Sequence, residues 1–78
     1  MVRTATAAGK LFLTNQTFGS RELLVQFVCV SDSISHSAVI RHYHGSEFHQ
    51  TTISLRQLKE VDQEAAKAIW LIQTGEEL

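Results

Sequence analysis

Histidine and carboxylate side chains that can bind metals or move protons gather in one short stretch: His42, His44, Glu47 and His49. Between them lies Gly45-Ser46, a dipeptide suited to a two-residue hairpin loop, because glycine supplies the positive φ such loops need. That loop sets His44 opposite Glu47, Tyr43 opposite Phe48 and His42 opposite His49, and strand alternation then puts all three imidazoles and the carboxylate on one face. Directly opposed residues lie about 4.5–5.5 Å apart, within reach of shared coordination of zinc, nickel or copper. A three-histidine site with an open position would activate water. Without metal, neighbouring imidazoles depress one another's protonation and respond to pH. The plainer expectation is stronger. Histidines at a hairpin end sit half-exposed and bonded to water or backbone, Glu47 is a cross-strand polar partner, and a one-residue slip of register scatters the set. No cofactor is expected.

The reverse side of the same hairpin carries Arg41, Tyr43 and Phe48. With Lys10 they form a candidate platform for single-stranded nucleic acid, whose bases stack on aromatic side chains while cations follow the backbone. The basic residues are sparse for such a footprint, so this is the alternative reading. The expected order of elements, four strands and then a helix, is similar to that of a known single-strand-binding fold, although no sequence motif is shared. Trp70 and Leu71 fall off the apolar stripe of the C-terminal helix and are expected to contact a partner protein, with Tyr43 and Phe48 as a second contact surface. Cys29 alternates with Val25 and Phe27 and is expected in the core, where a thiol is a poor nucleophile. Asp32, Ser33, Ser35 and His36 crowd one loop without the spacing of a triad. The glycines are isolated, so no phosphate-binding loop is present. The chain does not read as an enzyme.

These residues need elements to hold them. Lys10–Thr14 reads as a first strand, extending toward Phe18, and Gly19-Ser20-Arg21 as a break. Glu22–Val30 is the strongest strand signal, apolar on both faces; such a strand is central and covered on both sides. One helix covers one face, so a second copy is the expected cover for the other. Ser31–Ser35 reads as a loop, Ser37–His44 and Glu47–Ile53 as the hairpin. Ser54-Leu55-Arg56-Gln57 has the capping-box form, and Asp62 offers a second start. Leu55, Leu58, Val61, Ala65, Ala68, Ile69 and Ile72 then fall on one helical stripe, expected to pack on the sheet, with Gly75 as the stop.

The 78 residues include one cysteine and no proline. A chain this short buries only about 60% of its unfolded surface, and one cysteine forms no disulfide within the chain. Self-association would add burial. Residues 1–59 carry six Lys/Arg against three acids, a balance of +3, whereas residues 60–78 carry one lysine against five acids, a balance of −4. Opposite charges favour docking of the C-terminal segment on the rest. The segment preceding Lys10 lacks the apolar run of a signal peptide, and no stretch reaches the roughly 18 apolar residues of a membrane span. The sequence therefore predicts residues 1–9 as a loose tail and residues 10–78 as one α+β domain, a four-stranded antiparallel sheet followed by a helix. Its expected role is a cytoplasmic, non-catalytic regulatory or adaptor protein that binds another protein as a homodimer.

Overall fold

A computed structural model describes residues 7–14 and 22–78. It is an antiparallel sheet followed by one helix. Strands β1 (Leu11–Thr14), β2 (Leu23–Val30), β3 (Ser37–His44), β4 (Glu47–Ser54) and β5 (Lys59–Glu60) lie in the order β4-β3-β2-β1-β5. The strand that is apolar on both sides, β2, is the central one. The expected extension of the first strand and the break at Gly19-Ser20-Arg21 lie outside the described residues.

The hairpin of β3 and β4 forms in the expected register, from His44 opposite Glu47 to Ser37 opposite Ser54. Gly45 and Ser46 both adopt positive φ, 61° and 65°, the pattern of the type I′ turn whose twist matches that of the flanking strands. Between β2 and β3 the register shifts between Phe27 and Cys29. A bulge adds a residue to one strand and resets its alternation. Cys29, expected to follow Val25 and Phe27 inward, is therefore exposed.

The sheet is buried on both faces, by two separate clusters. On one face Phe12, Val25, Phe27, Ala38, Ile40 and Ile53 pack with Ala7 and Leu58, and Leu23 and Leu55 lie against them. On the other, Leu11 and Leu24 pack with Ala66 and Trp70, flanked by Leu13 and Val61. No second copy is needed for the face away from the helix, because Ala7, Leu55 and Leu58 of the same chain join its core. The last residues assigned to the expected tail of residues 1–9 are thus part of the packed structure. Ala7 is buried, Gly9 N–H donates to the Phe27 carbonyl and Lys10 N–H to that of Ala7.

The helix differs most from expectation. Ser54 Oγ accepts from Arg56 N–H, not from Gln57, and caps only a single 3-10 turn over Leu55–Gln57. Leu58 is extended, and Lys59–Glu60 pairs with β1 as a fifth strand. The physical reason lies in the clusters: Leu55 and Leu58 belong to one face, Val61 to the other, and a continuous helix would hold all three on one side. The chain instead rounds the edge of β1. Asp62 then caps α1 (Gln63–Thr74) by accepting from Ala65 N–H, and Gly75 closes it at φ 78°. Beside β1, Gln63 acts as a substitute strand residue, its Oε1 accepting from Leu11 N–H and its Nε2 donating to the Leu11 carbonyl.

Only Ala66 and Trp70 of α1 are buried, Trp70 to 1% exposure, whereas Ile69 is 47% and Ile72 83% exposed. The α1 part of the stripe expected to pack on the sheet, Ala65, Ala68, Ile69 and Ile72, faces outward. One indole fills the space that several smaller side chains would share, and its neighbours include Phe48, with ring centroids 5.9 Å apart. Trp70→Ala is therefore expected to lower the unfolding free energy by about 3–5 kcal/mol, and Ile72→Ala to change it by less than about 0.5 kcal/mol, both measured by urea denaturation. The opposite ranking would mean that the isoleucine stripe, not the indole, holds the helix down.

Candidate interaction surfaces

The most conspicuous apolar surface is the outer face of α1. At about 100° per residue, Ala65, Ala68, Ile69 and Ile72 form one line along the helix, and all four are exposed. Leu71, also exposed, lies further round on the side of Glu64 and Lys67. At its N-terminal end the line runs into a groove of about 120 Å³ lined by Leu13, Leu24, Val61, Ala65, Ala66 and Ile69, with Asp62 its one charged residue. For scale, a cavity of roughly 150 Å³ holds a benzene molecule, so this groove accommodates one aliphatic side chain. Of the two expected contact residues, Leu71 is available and Trp70 is not. Ile69 and Ile72, assigned from sequence to the sheet interface, are exposed instead; their helical spacing was visible, their direction was not.

On the sheet beneath α1 sits a cluster that ties the C-terminus down. Arg41 lies 4.0 Å from the Phe48 ring centroid and 5.9 Å from that of Trp70. Its guanidinium donates to Gln26 Oε1 and forms an ion pair with Glu76. Trp70 Nε1–H donates to the other Glu76 oxygen at 3.0 Å, and the Arg41 hydrogen bond, above all, holds the Glu76 carboxyl below its usual pKa. Phe48 also meets Tyr43 edge-on, with centroids 5.0 Å apart. Arg41, Tyr43 and Phe48 thus come together as expected. The guanidinium, however, is stacked and neutralised within the fold, and Trp70 shares the face that bases would occupy. Lys10 is exposed. Glu76 and Gln26 escaped the sequence reading; a lone glutamine in an apolar strand was the available signal for Gln26.

The hairpin also assembles its histidines. His42 and His49 stack with centroids 5.5 Å apart and planes at 23°, and His44 lies 6.3 Å from His49. His49 Nε2 is 3.2 Å from the His44 carbonyl oxygen, and Glu47 is exposed on the same face. Stacked rings direct their nitrogens past one another rather than to a common point. Among the described residues no grouping of three or more His, Cys, Asp or Glu side chains is placed to hold a metal ion. In the loop before β3, Ser31 Oγ accepts from Ser33 and Ile34 N–H and serves the turn; Asp32 and His36 are exposed.

Comparison with protein-family models, curated proteins and solved structures finds no match to this chain. No described helix is long and apolar enough to cross a membrane.

Burial, followed by the charges of His49 and His44, pushes the His42 pKa below its ordinary 6.5. The unfolded chain then binds this proton more readily than the folded one, so His42 costs nothing above about pH 6.5 and destabilises as pH falls below it. Glu76, whose pKa is depressed, contributes stability that is lost only lower, as pH falls through the carboxylate range. Urea midpoints between pH 7.5 and 5 are expected to fall in the native chain and to flatten in His42→Leu. An equal slope in both proteins would assign the effect elsewhere.

Proposed function

We propose that this chain is a non-catalytic binding module that engages another protein through the outer face of α1. The observation that carries this reading is the line of Ala65, Ala68, Ile69 and Ile72, apolar at helical spacing yet exposed. Burying a branched aliphatic side chain on association contributes about 1.5–3 kcal/mol, and Ile69 and Ile72 supply two of them beside a groove for a partner's anchor. The alanines allow close backbone approach, which suits an amphipathic helix docked along α1. Asp62 lines the groove and Glu64 flanks the line, an acidic border that suits a helix with basic residues beside its apolar stripe. Such a surface suits an adaptor. The single-strand reading is weaker, since Arg41 is already paired with Glu76.

A photo-crosslinking residue in place of Ile72 is expected to yield a discrete covalent adduct with a protein in the native cell, and the same residue in place of exposed Lys59 to yield none. Adding Ile69→Glu is expected to reduce the adduct at least about tenfold, the equivalent of roughly 1.4 kcal/mol. Equal labelling at both positions, or an adduct indifferent to Ile69→Glu, would remove α1 as the contact. Labelled single strands retained by the purified chain with a steep salt dependence would instead support the nucleic-acid reading.

A further inference from the structure

The two edges of the sheet are treated differently. β5 is a two-residue strand made of Lys59 and Glu60, short and charged, as protected edges are. β4 is eight residues long, contains neither lysine nor proline, and carries one charge, Glu47, at its hairpin end. Among the described residues it pairs on one side only, with β3.

Which of its backbone groups are free follows from the turn. In a two-residue hairpin the residues flanking the loop exchange both backbone hydrogen bonds, and such bonded pairs recur at every second position. His44 with Glu47, His42 with His49, Ile40 with Thr51 and Ala38 with Ile53 are therefore the bonded pairs. The next pair in that sequence is His36 with Leu55, and Leu55 N–H does donate to the His36 carbonyl at 2.9 Å. Phe48, Gln50, Thr52 and Ser54 consequently turn away from β3, but Ser54 caps the 3-10 turn of Leu55–Gln57, which leaves the N–H and C=O groups of Phe48, Gln50 and Thr52 along the open edge.

We infer that this edge pairs with β4 of a second copy, antiparallel, about a two-fold axis at Gln50. The three outward residues are symmetric about Gln50, so each meets an outward residue of the second copy: Phe48 opposite Thr52, Gln50 opposite Gln50. About six N–H···O bonds form across the dyad. Faces also match, with His49 opposite Thr51 and Glu47 opposite Ile53, so no charge meets its like. Phe48 with Thr52 is an aromatic–β-branched pair of the kind that stabilises antiparallel sheets. The sheet then continues through both copies, and because the axis is perpendicular to it, both α1 helices stand on the same side with their outer faces free. The pairing stands apart from the α1 reading and gives that module two equivalent binding faces.

Sedimentation of the full chain is expected to show a concentration-dependent dimer. Gln50→Pro removes an N–H that β3 does not use, a substitution that edge strands tolerate, and is expected to leave a folded monomer by circular dichroism. Gln50→Lys sets two ammonium groups face to face and is expected to raise the dimer dissociation constant about fivefold, less so in high salt. Facing residues of a bonded pair have Cα atoms about 5.5 Å apart, within disulfide range. In a Cys29→Ser background, Gln50→Cys is therefore expected to oxidise to a covalent dimer, and Thr52→Cys to remain mostly reduced. A monomer at every concentration overturns the pairing, as does a dimer that survives Gln50→Pro. A dimer lost with Ile72→Glu but retained with Gln50→Pro places the contact on α1 and overturns it too.

Discussion

Leu58 and Val61 are three residues apart and pack against opposite faces of one sheet. The rest of the architecture depends on that crossing. A central strand that is apolar on both sides must be covered on both sides. The chain covers one face with Ala7, Leu55 and Leu58, rounds the edge of β1 through the two residues of β5, and lays α1 on the other. The helix cannot begin before the crossing is complete, which is why Asp62 and not Ser54 caps it.

Economy of cover also shapes the surfaces. A single indole, Trp70, with Ala66 and the strand-like amide of Gln63, suffices to dock α1. The remaining apolar residues of the helix are thereby left facing outward. At the far side of the sheet, β4 completes the hairpin that holds the histidines, and among the described residues no further strand pairs with it. Polar groups exposed along such an edge are satisfied by water in the monomer and exchange that water for a strand at small net cost.

The charge asymmetry of the sequence resolves into one well-built contact. Arg41 and Glu76 are joined on the sheet face, with Phe48, Trp70 and Gln26 filling the remaining contacts of the guanidinium and carboxylate. The pair Lys59–Glu22, at 3.8 Å and largely exposed, is of the kind that contributes little. The segment that follows α1 is here fastened by a partly buried, hydrogen-bonded ion pair, which also lends the indole N–H an acceptor.

Local chemistry was legible in the sequence; direction was not. The hairpin register, the two-residue loop at Gly45-Ser46, the gathering of His42, His44 and His49, the centrality of β2 and the stop at Gly75 follow from alternation and backbone preference within a few residues, and they could be read without the fold. The bulge that exposes Cys29, the crossing between Leu58 and Val61 and the inward turn of Trp70 depend on which neighbours each side chain meets across the sheet. Periodicity states that α1 has an apolar line and, beside it, a tryptophan; it contains no term for which of the two fills the space above Leu11 and Leu24. Only tertiary packing decides that, because the volume to be filled is made by residues some forty to sixty positions away.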